Sequence, residues 1–162
     1  MSAQSKVLIT GASSGIGSVY ADRFAQRGYH LILVARDTNR LDKISKDLQE
    51  KYGVQVEFIQ ADLSNDQDIR KIEDVLKNDA DIEILVNNAG IALNGNFLTQ
   101  DRNEIEKLLT LNMTAVVRLS HAMSQSLIRK GKGAIINLGS VLGLAPEFGS
   151  TIYGARDRKS VV

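Results

Sequence analysis

Two side chains near the end of this 162-residue sequence could support acid–base chemistry. Ser140 follows the apolar stretch AIINLG, and Tyr153 comes thirteen residues later. A phenol has a reference pKa near 10, so only about one in a thousand is ionised at pH 7. A cation one helical turn further on would favour the phenolate, but that position holds Asp157, whose charge disfavours it. Lys159 is no substitute, because six helical positions rotate it by about 240°.

A glycine-rich turn between the first apolar run and the first helical pattern could bind a phosphate. Its glycines have the spacing G-x-x-x-G-x-G and are Gly11, Gly15 and Gly17. Glycine permits a tight backbone path that a pyrophosphate can approach. The helix that follows offers unpaired N–H groups and the positive end of its dipole. Thr10, Ser13 and Ser14 add hydroxyl donors. The alternative is a turn that merely needs flexibility, but the flanking strand and helix favour nucleotide binding.

A second nucleotide determinant is expected at the end of the next apolar run, LILVARD, where Arg36 stands. An acidic side chain here would bind the ribose 2′-hydroxyl, whereas a guanidinium pairs with a 2′-phosphate. The alternative is a solvated pair of Arg36 with its neighbour Asp37. We expect NADP(H) to be used in preference to NAD(H).

Apolar runs and amphipathic stretches alternate along the whole chain. Strands are predicted at 7–10, 31–35, 54–60, 82–86 and 134–138. Helices are predicted at 15–27, 38–52, from 65 or 66 through 76, and 101–129. The first helix carries an apolar face of Ile16, Val19, Tyr20 and Phe24. Near-continuous apolar strands, each followed by a helix, indicate an α/β fold with a doubly wound parallel sheet.

Composition excludes several classes of function. A net charge of +1 gives no electrostatic case for nucleic acid or for an anionic membrane. The apolar runs are of strand length and too short to span a bilayer. The sequence contains no cysteine, which suits the cytosol. We expect a cytoplasmic protein without a membrane or nucleic-acid partner and without a metal site.

Six features, in their order and spacing, resemble the short-chain dehydrogenase/reductase family. They are TGASSGIG at 10–17, ADLS at 61–64, NNAG at 87–90, Asn112, Ser140 and Tyr153. The resemblance covers residues 6 to 155. It implies a Rossmann-type sheet with the strand order 3-2-1-4-5, later strands of the family being missing, and one NAD(P)-binding domain over residues 1–155.

The resemblance also implies where a dinucleotide binds. The pyrophosphate would be lined by Gly11, Gly15, Ile16 and Gly17. Arg36 would lie at the adenosine ribose, Asp62 at the adenine amino group and Leu63 beside the adenine ring. A capping role for Asp62 or Ser64 on the next helix is the alternative. The residues of NNAG nearest the cofactor would be Asn88, Ala89 and Gly90. A polar turn that steadies the sheet is the other interpretation of NNAG, and both can hold.

The chemistry implied by the resemblance is hydride transfer between nicotinamide and a carbonyl or alcohol carbon. Tyr153 would be the acid/base, Ser140 would hydrogen-bond the substrate oxygen, and Asn112 would stabilise a helix irregularity and hold a relay water. In the family a Lys four residues after the Tyr tunes its pKa and holds the nicotinamide ribose. Asp157 departs from this pattern.

This departure leaves two hypotheses open. The segment RDRKSVV lacks an amphipathic pattern, so we expect a C-terminally truncated, inactive family member with a non-native tail at 156–162. Its full-length parent would be a homodimer or homotetramer that acts on a small-molecule carbonyl or alcohol. The alternative is a naturally diverged, catalytically dead homologue that binds nucleotide as a sensor or interaction module. The co-occurring motifs disfavour an interaction domain without nucleotide.

Overall fold

The computed structural model describes residues 5–93 and 96–140, in which strands and helices alternate. The strands are β1 (Lys6–Thr10), β2 (His30–Ala35), β3 (Val56–Gln60), β4 (Ile82–Asn87) and β5 (Ala134–Asn137). The helices are α1 (Gly15–Gln26), α2 (Thr38–Tyr52), α3 (Asp66–Asn78), α4 (Arg102–Leu109) and α5 (Ala115–Lys130). A 3₁₀ turn, Phe97–Thr99, precedes α4. None of the helices in the described ranges is both long and apolar enough to cross a membrane.

The five strands form one parallel sheet in the order β3-β2-β1-β4-β5, which confirms the predicted topology. After β3 the chain crosses back over the sheet, so β4 pairs with β1 on the side opposite β2. The strand order therefore reverses between β1 and β4. In open α/β sheets, ligands bind outside the carboxyl ends of the strands at such a switch point.

Apolar side chains cover both faces of the sheet. On β1, Val7 and Ile9 belong to one buried cluster with residues of α1 and α2, while Leu8 belongs to a second cluster with residues of α3 and α5. All three side chains are fully buried. This double burial explains the uninterrupted apolar sequence of the central strands, which a sheet with one wet face would not need.

Helix α1 meets the sheet through small residues rather than through the predicted apolar face. Its buried positions are Gly17, Ala21 and Ala25, whose size lets the helix lie close to the strands. Ile16 and Val19 remain 59% and 56% exposed. They line an open apolar groove together with Tyr20, Arg23, Phe24 and Arg27.

The long helical stretch predicted over 101–129 is present, and one irregular turn divides it into two α-helices. Asp101 caps α4 by accepting hydrogen bonds from the amides of Asn103 and Glu104. A π-helical turn, Thr110–Thr114, then separates α4 from α5. Asn112 lies inside this turn, where resemblance to the family placed a helix irregularity.

Candidate functional site

A cleft of about 450 Å³ opens at the carboxyl edge of the sheet, at the switch point between β1 and β4. It is lined by the turn after β1, the ends of β2 and β3, the segment after β4 and one residue of the π turn. The lining residues are Gly11, Ser13, Ser14, Val34, Ala35, Arg36, Asp37, Arg40, Ala61, Asp62, Leu63, Asn88, Ala89, Gly90, Ile91 and Leu111. Most of the predicted cofactor-binding residues are thus brought together, but Thr10, Gly15, Ile16 and Gly17 are not among the lining residues, and Gly15 and Ile16 line the groove along α1.

The glycine turn is locked to the segment that follows β4. The Asn88 side-chain amide donates hydrogen bonds to the carbonyls of Thr10 and Gly11, at 2.9 and 3.1 Å. A Cβ on Gly11 would stand 2.7 Å from the same amide nitrogen. On Gly17 it would collide with the Gly11 carbonyl oxygen. These two glycines are therefore required by the packing of the protein against itself, before any ligand is considered.

Thr10 contributes to this lock and not to the cleft. Its hydroxyl donates to the Val86 carbonyl and accepts hydrogen bonds from the amides of Asn88 and Ala89. The residue is 1% exposed. This geometry corrects the expectation that Thr10 offers a hydroxyl donor to a bound phosphate, because the hydroxyl hydrogen is already donated to the Val86 carbonyl. Ser13 and Ser14 do line the cleft.

The N-terminus of α1 is open where it faces the cleft. Ser14 is its N-cap residue, but the hydroxyl makes no capping hydrogen bond, and the first turn holds no acidic residue. Gly15 adopts φ +55°, and a Cβ built there meets no atom within 4 Å among the described residues. Unpaired amides, a positive dipole end and open space beside them fit a bound phosphate.

At the far end of the cleft, Arg36 and Asp37 do not form the ion pair considered as an alternative. Asp37 caps α2 by accepting a hydrogen bond from the Arg40 amide at 3.0 Å, and it pairs with the Arg40 guanidinium at 3.3 Å. Within the described ranges, no carboxylate lies at ion-pair distance from Arg36. The spacing Asp37-x-x-Arg40 is a capping and i, i+3 pairing signal that could have revealed Arg40 from the sequence.

Asp62 is held at the end of β3 by its own loop. Its carboxylate accepts hydrogen bonds from the Ser64 amide and hydroxyl, at 3.0 and 2.7 Å. Burial by itself would raise the pKa of Asp62, but the two Ser64 hydrogen bonds and the charges of Arg36 and Lys107 bring it below its ordinary value. Asn65 caps α3, so the capping alternative for Asp62 or Ser64 is not observed. Leu63 is buried beside Asp62, in the cleft wall.

The first Asn of NNAG steadies the sheet, as one interpretation of the motif proposed. The Asn87 amide donates to the Ser120 hydroxyl on α5 and to the Asn137 side-chain oxygen on β5, at 3.0 and 2.8 Å. Asn88, Ala89 and Gly90 line the cleft. Their contact with a cofactor remains a prediction, and the structure shows that motif residues also serve the packing of the fold.

Asn112 clamps the segment that continues from NNAG. Its side-chain oxygen accepts from the Ile91 amide at 3.0 Å, and its side-chain nitrogen donates to the Ile91 carbonyl at 2.7 Å. Ser140 is half-buried three residues beyond β5, on the same edge of the sheet. Tyr153, Asp157 and the predicted tail at 156–162 lie outside the described residues. The catalytic roles of Asn112, Ser140 and Tyr153 stay predictions.

Comparison with known proteins identifies the class. The family model described as short chain dehydrogenase matches residues 5–156, and the chain belongs to this family. The very-long-chain 3-oxoacyl-CoA reductase of Bos taurus is 32% identical over 152 residues, which cover 91% of this chain and 48% of the relative. The chain thus spans about half the length of the curated relatives it matches.

Solved structures of bacterial proteins share both sequence and fold with the chain. A short-chain dehydrogenase from Sphingobium yanoikuyae in complex with NADPH is 52% identical, with a TM-score of 0.93 over 95% of this chain and 60% of that one. The bulky-bulky ketone specific alcohol dehydrogenase from Comamonas testosteroni is 46% identical, with a TM-score of 0.94 over 97% of this chain and 63% of that one. These relatives are oxidoreductases.

Proposed function

We propose that the protein bearing this sequence is an NADP(H)-dependent oxidoreductase that transfers a hydride between nicotinamide and a carbonyl or alcohol carbon. One observation carries the proposal: the open N-terminus of α1 and the unpaired guanidinium of Arg36 face the same cleft at the switch point of the sheet. The first suits a pyrophosphate and the second a ribose 2′-phosphate. The 52% identical relative solved with NADPH supports this assignment.

The preference for NADP(H) rests on how Asp37 is used. An acid beside Arg36 could in principle serve the ribose hydroxyls of NAD(H). Both oxygens of the Asp37 carboxylate are, however, engaged by Arg40, one through the amide and the other through the guanidinium. Arg36 therefore remains the charged group at the end of β2 that is available to a ligand, and its charge favours a phosphate.

The chain's own residues would divide the work of the reaction. The cofactor, when bound, supplies the hydride chemistry. Asn88 holds the glycine turn in shape, Asp62 accepts a hydrogen bond from the adenine amino group, and Ser140 orients the substrate oxygen. Tyr153 donates or accepts the proton that accompanies a change between alcohol and carbonyl. Asn112 acts through the Ile91 segment that it clamps.

The proposed substrate is a small molecule with an apolar, bulky carbonyl or alcohol group. The stretch VLGLAPEFGST between Ser140 and Tyr153 is largely apolar or small, which suits such a pocket wall. The names of two relatives point the same way, one a bulky-bulky ketone specific dehydrogenase and the other a very-long-chain 3-oxoacyl-CoA reductase. We further propose a cytoplasmic homodimer or homotetramer for the full-length protein.

Cofactor choice is tested by measuring kcat/KM for NADPH and NADH on the full-length protein. We expect NADPH to be preferred, and Arg36→Asp to shift the preference toward NADH. Equal values for the two cofactors in the unmodified protein would overturn the preference.

Asp157 favours a second candidate, a nucleotide-binding homologue that has lost catalysis. The discriminating experiment is NADPH oxidation with a panel of ketones and aldehydes, run on the full-length protein beside its Tyr153→Phe variant. Turnover that Tyr153→Phe abolishes, with NADPH binding retained, supports the oxidoreductase. NADPH binding without turnover in either protein supports the sensor.

A further inference from the structure

We propose that Arg40 is a second specificity-determining residue and that its guanidinium joins that of Arg36 in seating the phosphate on the adenosine ribose. The inference rests on the proposed use of NADP(H). It assigns to α2, and not only to the end of β2, a part in choosing between the two dinucleotides.

Arg40 is held through its backbone amide and Nε, while the end of its side chain is exposed. Arg40 is the third residue of α2 and lines the same cleft as Arg36. Its amide and its Nε both contact the Asp37 carboxylate, at 3.0 and 3.3 Å. The two terminal nitrogens make no hydrogen bond or ion pair with any residue that the structure describes, and the side chain is 66% exposed. Asp37 thus orients the guanidinium through Nε, and the terminal nitrogens have no partner among the described residues.

The local charge balance favours a second cation for the phosphate. A ribose 2′-phosphate carries between one and two negative charges and three acceptor oxygens. One guanidinium can engage two of these oxygens in a bidentate pair, which leaves the third for another donor. Two carboxylates, Asp37 and Asp62, line the same cleft, so Arg36 alone would leave the lining with a net negative charge. With Arg40 included, two guanidinium groups balance the two carboxylates, and the phosphate does not meet an excess of negative charge.

Asp37 is in this account a positioning residue. Its carboxylate caps α2 and binds Nε of Arg40, which leaves the two terminal nitrogens of Arg40 available to a phosphate. Arg40→Gln keeps the backbone amide that donates a hydrogen bond to Asp37, so the cap of α2 is kept. The substitution removes the cation while leaving the start of α2 in place.

The chain contains a matched pair on another helix. On α3, Arg70 Nε contacts Asp66 at 2.7 Å, and the two side chains are 70% and 58% exposed, close to the values for Arg40 and Asp37. Arg70 does not line the cleft. Arg70→Gln removes the same chemical group and an ion pair of similar exposure near the start of a helix, while Asp66 keeps its contact with Arg118, and the variant serves as the control.

The experiment measures dissociation constants of four ligands for the unmodified protein, Arg40→Gln, Arg40→Lys and Arg70→Gln. The ligands are NADPH, NADH, adenosine 2′,5′-bisphosphate and 5′-AMP. For Arg40→Gln we expect binding of NADPH and of the bisphosphate to weaken by about tenfold, since a charge-assisted contact is lost. Binding of NADH and AMP should stay within about twofold, because neither carries the 2′-phosphate. Arg40→Lys should lie between, and Arg70→Gln should match the unmodified protein.

The experiment distinguishes a wrong cofactor preference from a wrong role for Arg40. If the unmodified protein binds neither NADPH nor the bisphosphate better than its unphosphorylated counterpart, the proposed cofactor preference fails and this inference falls with it. If the unmodified protein prefers NADPH and Arg40→Gln keeps that preference, only the role of Arg40 is overturned. An equal loss for all four ligands in Arg40→Gln would also overturn it, because a general disturbance of α2 would explain the result.

Discussion

Helices α1 and α3 both begin at the carboxyl edge of the sheet, yet their N-termini are treated in opposite ways. Asn65 caps α3 by accepting a hydrogen bond from the Asp68 amide at 2.9 Å, and Asp66 and Asp68 add negative charge to the first turn. The cap position of α1 holds Ser14, which makes no capping bond, and its first turn contains no acid. A side chain thus caps α3 and acidic residues complement its dipole, whereas α1 has neither a side-chain cap nor an acidic residue in its first turn.

The same contrast extends to the other capped helices. Asp37 caps α2 and Asp101 caps α4. An uncapped N-terminus costs stability, typically about 1 kcal/mol relative to a capped one. Its retention on α1, at the point where the cleft opens, is expected if a phosphate takes the place of the cap. The two turns therefore differ at their amides: the fold shapes both turns, but only the turn before α3 has a side-chain cap.

The largest effect on stability should come from substituting Gly17, which we compare with Gly15 in the same turn. In Gly17→Ala the new Cβ would collide with the Gly11 carbonyl, so the turn would have to shift. We expect a loss of about 3 kcal/mol in the free energy of unfolding, together with loss of NADPH binding. In Gly15→Ala the Cβ meets open space, and the φ of +55° costs about 1 kcal/mol. Urea unfolding of the two variants measures the difference. Equal losses would show that Gly17 is not locked by packing.

A smaller effect should separate stability from binding. Asn65→Ala removes the cap of α3 and should lower the free energy of unfolding by about 1 kcal/mol, with NADPH affinity unchanged. Ser14→Ala removes no capping bond, so stability should stay within about 0.5 kcal/mol while NADPH binding weakens. Thermal unfolding and NADPH titration of both variants give the comparison. If Ser14→Ala destabilises as much as Asn65→Ala, Ser14 caps α1 after all and the contrast between the helices disappears.

The smallest expected effect is on the pH dependence of stability, which we expect to involve ion pairs between α3 and α5. The guanidinium of Arg118, on α5, binds the carboxylates of Glu73 and Asp66, and these contacts hold the pKa of each carboxyl below its ordinary value. A lowered pKa in the folded state means that the stabilisation is present above about pH 4 and is lost as pH falls through the folded value. Glu73→Gln should therefore cost about 1 kcal/mol or less at pH 7, and less still near pH 3. A difference that is the same at both pH values would rule out this linkage.

Much of the fold and of the cleft follows from local sequence. The apolar runs predicted a doubly wound parallel sheet, and either Asn65 or Asp66 was expected to start α3, whereas the strand order came from the resemblance to the family. Those signals are short-range, since a cap or an apolar run is decided by a few neighbouring residues. The cleft position follows as well, because parallel strands place their carboxyl ends on one edge.

Other features depend on contacts that no local pattern reports. The hydrogen bonds from Asn88 to Thr10 and Gly11 join residues nearly eighty positions apart, and the Thr10 hydroxyl donates to the Val86 carbonyl, away from the cleft. The π turn arises where Asn112 bonds to the Ile91 backbone. The apolar face predicted for α1 is only partly buried, because close approach to the sheet selects the small residues Gly17, Ala21 and Ala25. Packing between distant segments decides each of these outcomes.

The measurement that tests the contrast most directly is an amide chemical-shift titration of the isotope-labelled protein with NADPH. We expect large shifts for the amides of Gly15, Ile16 and Gly17, which would donate to the phosphates. The amides of Gln67 and Asp68, in the capped first turn of α3, should move little and serve as the internal reference. If NADPH binding is saturable but the amide resonances of α1 do not shift, or shift no more than those of α3, the N-terminus of α1 does not bind the cofactor.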